Sequence, residues 1–526
     1  MELLQLLPLL SFLTVIIILL ASCLVLKRKG RTSSSWSTSL LQNPSLEPQL
    51  PSPSRLPVIG SMHHLVGSVP HRRLCELSRR HGPLMLVRLG QVDFLVVSSP
   101  EAAEEVLKIH GTNFACRPKV GSMEFISYGY SDPFFCPYGR YYVQLRKICM
   151  LELLNPTRVK SFSSLREEEV HNLVKGIVTT SEGAVPINLS RRLLSLSNNI
   201  VFRAVMGKKC RNQERFFVAM REVMNLVSGL VVGDLFPFLS FLDVVTGAKS
   251  KLKRLHEFLD RFFDEILREH ESEDDREEDL VDVLLRHRES CELDVPLTTN
   301  NVKAVILVMF MAGTDTSFTT LEWAMSELMR NPETMEKVQN EVRQSLGRRT
   351  KLEESDVREL KFLKLVIKET LRLHPPAPLL PRECREACRV QGYAIPTGTR
   401  VLVNAWALAR DPRHWDDPDC FRPERFDANP VDFKGLDFNL LPFGAGRRMC
   451  SGMTFGLASV DLALAHLLCY FDWELPNGMK ADELDMTELY ASTVSRKSEL
   501  YLVARPCVPL SEKLFSMTDS PRGSDV

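Results

Sequence analysis

The sequence predicts a mainly α chain with small β-sheets, carried on one N-terminal transmembrane helix. Three observations support this. Residues 3–26 contain no charge, and about 20 apolar residues suffice to cross a bilayer as a helix. Apolar segments of helical length dominate the body, at 302–312, 356–373 and 455–471. Strand-like runs are few and short, at 84–89, 94–97, 400–403 and 500–503.

Residues 3–26 are followed by Lys27, Arg28, Lys29 and Arg31. A basic cluster beside an apolar span stays cytosolic, which places the body of the chain on that side. A cleaved signal peptide is the competing reading, but the apolar stretch is long for one and no small-residue cleavage pattern precedes the cluster. Residues 1–31 are therefore taken as anchor and basic stop. Residues 32–56 form a Ser- and Pro-rich linker, ending in the stiff run Leu50-Pro51-Ser52-Pro53-Ser54-Arg55-Leu56-Pro57. The catalytic body spans 57–510, and the polar residues 511–526 read as a disordered tail. Within the body, 302–312 is apolar nearly all round except Lys303, as in a buried helix. Residues 356–373 carry Leu360, Leu363, Ile367 and Leu371 at helical spacing, and Pro375 and Pro376 stop them. Asn188-Leu189-Ser190 matches a glycosylation pattern that a cytosolic body would leave unmodified.

The chain has 526 residues with Lys+Arg and Asp+Glu both at 66, so its net charge is zero. Nucleic-acid binding would call for a basic excess. The 13 cysteines form no framework, which fits a reducing compartment.

The densest chemistry lies in Pro442-Phe443-Gly444-Ala445-Gly446-Arg447-Arg448-Met449-Cys450-Ser451-Gly452, a Gly-rich loop running into an apolar helix. Cys450 sits near a helix N-terminus beside two arginines, and both features favour a thiolate. A thiolate there could ligate iron and help to split an O–O bond. A single cysteine after a tight turn is more often a small buried hydrophobe, so the weight rests on the whole pattern F-x-x-G-x-R-x-C-x-G.

That pattern resembles the haem-binding loop of cytochromes P450, and the resemblance extends over nearly all of residues 50–507. It implies the cytochrome P450 fold and a haem b cofactor with Cys450 as axial iron ligand, in a loop that includes Phe443 and Gly444. Glu369-Thr370-Leu371-Arg372 matches the family's E-x-x-R, whose i and i+3 side chains share a helix face. Arg425 matches the third member of the buried triad that shapes the Cys loop. Ala312-Gly313-Thr314-Asp315-Thr316-Ser317 looks like the oxygen-activation groove. There Thr316 holds a water or oxygen and Asp315 relays protons, as O–O scission needs an acid beside an alcohol. A Thr hydroxyl can also bond the carbonyl four residues back, here that of Ala312, and loosen the helix. Arg146, Arg382 and Arg448 resemble the family's haem-propionate ligands.

Phe114-Ala115-Cys116-Arg117-Pro118, Tyr138-Gly139, Leu145-Arg146-Lys147, Asp234-Leu235-Phe236-Pro237 and Asn404-Ala405-Trp406-Ala407 are similar to the plant microsomal, A-type group. Four features depart from it. Tyr142 replaces a Trp that would contact a propionate. Ser451 replaces a Pro after the Cys, and Cys136 stands where Ala is usual. Residues 378–382 run one residue short. By family position the substrate pocket draws on 120–131, 225–232, 308–316, 377–380 and 492–494. These segments are largely apolar, so a lipophilic small molecule is expected, with terpenoids favoured over alkaloids and phenylpropanoids.

No G-x-G-x-x-G follows a strand and no P-loop is present. Electrons are therefore expected from NADPH through a partner, NADPH–cytochrome P450 reductase, at the endoplasmic reticulum membrane. Cys384 and Cys388 have no second ligand pair at zinc spacing and read as ordinary cysteines. The expected reaction is monooxygenation, one oxygen atom of dioxygen entering the substrate. A haem-thiolate isomerase or dehydratase is an alternative, but such enzymes typically lose the acid–alcohol pair that Asp315 and Thr316 keep. A non-catalytic, membrane-tethered haem protein is another, which product formation with reductase present would eliminate.

Overall fold

The computed structural model describes residues 48–507, apart from 181–184, 208–212, 229–231, 240–246, 273–277, 291–292, 350, 428 and 430. The anchor 3–26, its basic cluster, most of the linker and the tail from 511 lie outside the described residues.

The helices that position the site are α1 (Pro70–His81), α2 (Arg140–Ile148), α3 (Leu189–Met206), α4 (Gln213–Ser228), α5 (Ala248–Ser272), α6 (Thr299–Arg330), α7 (Pro332–Leu346), α8 (Lys361–Leu373) and α9 (Met453–Tyr470). α6 and α9 are long and apolar enough to cross a membrane. Both instead carry the core, with Val302, Val305, Ile306, Phe310, Leu464 and Leu468 at most 3% exposed. A helix apolar on all sides has to be surrounded by protein or lipid, and here α3, α7 and α8 are among its neighbours. Lys303, the polar exception in α6, is buried and reaches Asp260 at 2.6 Å and Asp264 at 2.7 Å on α5. The pairing offsets the cost of taking its charge out of water. Thr298 starts α6 with a reciprocal cap, its Oγ1 accepting from Asn301 N–H and Asn301 Oδ1 accepting from Thr298 N–H.

The main sheet has four strands, β1 (Leu84–Leu89), β2 (Val92–Val97), β3 (Leu379–Glu383) and β4 (Arg400–Asn404), in the order β1-β2-β4-β3. β2 and β4 run parallel and the other pairs antiparallel. Leu95, Val97, Val401 and Val403 pack on one side with Leu84 and Leu380. The smaller β5 (Phe471–Glu474), β6 (Glu488–Tyr490), β7 (Val494–Arg496) and β8 (Tyr501–Pro506) form two further sheets, β6 with β7 and β5 with β8. In the stiff run after the linker, Leu50 packs against the sheet core and Pro51 accepts a hydrogen bond from Leu86 N–H at 2.8 Å.

Two sequence expectations differ from the structure. Residues 356–373 are not one helix. A short turn, Glu354–Val357, ends first, and α8 starts at Lys361 after Leu360, whose backbone is extended. The break is stabilised from outside, because the Glu341 carboxylate accepts hydrogen bonds from Phe362 N–H at 2.8 Å and Leu363 N–H at 2.9 Å. Those amides would otherwise lack partners at a helix start. The polar segment 312–317 does not interrupt its helix either, since α6 runs continuously from Thr299 to Arg330. Thr316 and Thr320 Oγ1 donate to the carbonyls of Ala312 at 2.7 Å and Thr316 at 2.8 Å, so their hydroxyls are satisfied within the helix.

Candidate active site

Side chains from α2, α3, α6, the segment through β3 and the Cys450 loop enclose a cavity of about 490 Å³. The loop reaches it through two glycines at positive φ, Gly444 (69°) and Gly446 (67°). A Cβ on Gly446 would lie 2.1 Å from the Leu107 carbonyl oxygen, so only glycine fits. The turn closes when Cys450 N–H donates to Phe443 O at 2.9 Å, which delivers the sulfur to the cavity just before α9.

Sequence reasoning expected the helix start and the adjacent arginines to favour a thiolate. The structure corrects part of this. Cys450 is exposed to the cavity, where desolvation pushes its thiol up, while the helix-start amides of Gly452 and Met453, with Arg146 and Arg117, pull it down. Arg448 is turned elsewhere, donating to the carbonyls of Ala115, Pro133, Phe134 and Cys136. A metal cation facing the sulfur would supply the charge that holds it as thiolate.

Arg146, Arg382 and Arg448 all line the cavity, joined by Arg117, which the sequence analysis did not assign to the site. Arg117 and Arg382 lose proton affinity mainly by burial and then by neighbouring guanidiniums. Arg382 falls to about 10 and Arg117 well below its ordinary value. Asp132 is the acid facing Arg117, and burial pushes it up to about 6 although Phe134 and Phe135 N–H donate to it. Arg117 Nε is buried without a partner. Clustered guanidiniums with so little compensating charge suit a dianionic ligand, and the two carboxylates of a haem fit this donor set.

Tyr142, in place of the expected Trp, is 2% exposed. Its hydroxyl donates to Arg447 O at 2.7 Å, and its ring lies 3.6 Å from the Arg448 guanidinium. Arg146 Nη1 donates to Met449 O at 2.8 Å. Tyr142 and Arg146 thus tie α2 to the Cys loop, and the Tyr142 hydroxyl is turned to a loop carbonyl. Cys136 is fully buried, its thiol pushed up to about 12 by burial. Ser451, Phe443 and Gly444 all line the cavity.

Glu369 and Arg372 are both fully buried. Their bidentate pair measures 2.7 and 2.8 Å, and Arg425 Nε donates to Glu369 at 2.9 Å. The remaining Arg372 donors reach the carbonyls of Ala409, Pro418 and Cys420. A pair buried this deeply requires such full satisfaction.

Thr316, Ala312 and Gly313 present α6 to the cavity. Asp315, its neighbour, does not line it. Its Oδ2 instead accepts from Ser492 Oγ at 3.3 Å, and Ser492 does line the cavity. Burial pushes the Asp315 carboxyl up, opposed by Ser492 and by Arg221 on α4. A carboxyl raised in this way holds a proton more readily than a free one.

Of the pocket segments expected from sequence, Val308, Met309, Ala312, Gly313 and Thr316 of 308–316 and all of 377–380 line the cavity, and Ser492 does so with Tyr490 and Ala491. Residues 120–131 do not, and the wall there comes from Pro133 and Phe134. Of 225–232, residues 229–231 lie outside the described residues, and Asn225 and Leu226 are not in the wall. Val201, Ala204 and Val205 of α3 also line it. They read as ordinary core in sequence, and only the packing of α3 on α6 brings them there.

A cytochrome P450 family model matches residues 50–503. Desmethyl-deoxy-podophyllotoxin synthase of Sinopodophyllum hexandrum is 49% identical, covering 86% of this chain and 91% of that one. Germacrene A hydroxylase of Barnadesia spinosa is 50% identical, covering 87% and 92%. A zebrafish cytochrome P450 solved with progesterone superposes with a TM-score of 0.71 at 26% identity, covering 83% of this chain and 99% of that one. The fold and the thiol-bearing cavity thus define a haem-thiolate oxygenase. The chain belongs to the cytochrome P450 family, in its plant A-type group, and is a haem-dependent monooxygenase.

Proposed function

We propose that the protein hydroxylates or otherwise oxygenates a lipophilic terpenoid, with electrons passed from NADPH by a separate reductase at the endoplasmic reticulum. The carrying observation is one cavity with largely aliphatic walls that presents Cys450 from the Gly-rich loop and Thr316 from α6. Apolar walls with few polar groups select hydrocarbon frames. The similarity to germacrene A hydroxylase supports a terpenoid. The similarity to desmethyl-deoxy-podophyllotoxin synthase keeps the scaffolds of that relative in the substrate screen.

Cys450 Sγ would ligate haem iron. Arg146, Arg382 and Arg117 would take the propionates, while Arg448, already committed to backbone carbonyls, would fix the loop beside them. When bound, haem supplies activation of dioxygen, one atom going to substrate and the other to water. The rest falls to the chain's own groups. Glu369, Arg372 and Arg425 hold the segment leading to the Cys loop. Thr316 Oγ1 holds a water over the site. Asp315 Oδ2 holds the proton that this water passes on. The uncharged 3–26 and the basic residues after it support a single-pass anchor with a cytosolic body.

The test supplies the full-length chain, in reductase-containing microsomes, with terpene hydrocarbons, NADPH and heavy-isotope dioxygen. A product one labelled oxygen heavier is expected. Turnover without NADPH would instead identify an isomerase or dehydratase.

A further inference from the structure

A second cavity, of about 470 Å³, lies away from Cys450, between α1, the C-terminal ends of α6 and α8, and residues 406–419. Its inner wall holds Trp406, only 7% exposed, whose indole Nε1–H is buried without a partner. The guanidiniums of Arg72 and Arg410 sit 5.0 and 4.1 Å from the Trp406 ring centre. Burial, then the nearby Arg372, pull Arg410 down to about 10, although Asp419 and Glu488 oppose the shift.

Three carboxylates, Glu76, Glu327 and Asp419, also line the cavity, and each is already paired with a basic side chain. Asp419, largely exposed, takes Arg410 Nε at 3.0 Å. Glu327 pairs with His374 Nε2 at 2.7 Å, Glu488 with Arg72 Nε at 2.7 Å, and Glu76 with Arg73 at 2.7 Å. The exposed guanidiniums of Arg79 and Arg330 also line the cavity and donate no hydrogen bond among the described residues. His374 Nε2 faces a carboxylate and therefore carries the proton, which leaves Nδ1, buried and unpartnered, as an acceptor.

A ligand that satisfies this set offers several anionic oxygens and one O–H. We propose that this cavity binds a phosphate monoester, its oxygens taken by Trp406 Nε1 and by Arg79 and Arg330, its O–H by His374 Nδ1. The same chemistry is presented by free phosphate and by a monoester lipid headgroup. A diester headgroup has no O–H and is excluded from the His374 contact.

The full-length holoprotein, reconstituted in phosphatidylcholine nanodiscs, is titrated calorimetrically with inorganic phosphate at constant ionic strength. A second arm measures binding to vesicles containing phosphatidic acid against pure phosphatidylcholine. Saturable binding in either arm, weakened about tenfold or more by Arg330→Gln and by Trp406→Phe, is the expected result. The phosphate arm points to a soluble ester, and the phosphatidic acid arm alone to a lipid. Arg330 is exposed and outside the Cys450 cavity, so Arg330→Gln should keep the fold and the haem spectrum. Absence of binding in both arms, or binding indifferent to Arg330→Gln, overturns the proposal and makes this a water-filled cavity.

Discussion

Cys450, Glu369, Arg372 and Thr316 were legible as residues because each belongs to a short pattern with fixed spacing. Arg117 was noted only within the group-matching run Phe114–Pro118 and given no role, because only the fold sets it beside Arg382 and Arg448. Ser492 was expected in the pocket wall, but its bond to Asp315, across 177 positions of sequence, was not legible. Asp315→Asn removes the carboxyl that would hold the proton. Product formation should fall about 100-fold, the scale of general acid catalysis, with substrate-induced spectral shifts unchanged. Asp461 gives a test independent of catalysis. Burial raises its carboxyl in the folded chain from an ordinary 3.8 to about 7. Between those values the folded protein keeps a proton that the unfolded chain releases, so its contribution to stability falls as pH rises through the window. Asp461→Asn should flatten that part of the pH–stability curve and raise stability above pH 7, measured by denaturant unfolding.

Elements were read with uneven success, and the differences have physical causes. β1 was read with the bounds the structure gives, since both its ends are marked by turn residues. The break before α8 was invisible because residues 356–373 keep helical periodicity throughout, while the group that stabilises the break, Glu341, sits on α7. In segment 312–317 the expected bond from the Thr316 hydroxyl to the Ala312 carbonyl forms, yet α6 stays continuous, held by its burial in the core. The Cys loop is the element most exposed to a single change. Gly446→Ala puts a Cβ into the Leu107 carbonyl at a positive φ, so haem retention should be lost while far-UV circular dichroism stays helical. Glu369→Gln leaves Arg372 and Arg425 without their shared carboxylate. Breaking a buried pair this way costs about 3–5 kcal/mol, which should appear as a lowered Tm together with haem loss.

For the whole molecule, the mainly helical architecture and the Cys450 pattern were legible because they rest on local periodicity and one dense motif. The cavity walls were legible in part, on α6, at 377–380 and at Ser492, while the share from α3 and from Pro133 and Phe134 was not, because only the packing of distant segments brings those residues together. The proposed anchor is tested on the whole chain. With residues 1–47 present, the protein should stay in the membrane pellet after alkaline carbonate extraction, and without them a folded body should pass to the supernatant. The central claim, that Cys450 presents a thiolate to haem iron, is tested most directly by the carbon monoxide difference spectrum of the reduced protein. A red-shifted Soret band in the native chain, replaced by a short-wavelength band or none in Cys450→Ser, is the expected result. A folded native protein without a haem band, or a Cys450→Ser variant that keeps the red-shifted one, would contradict it.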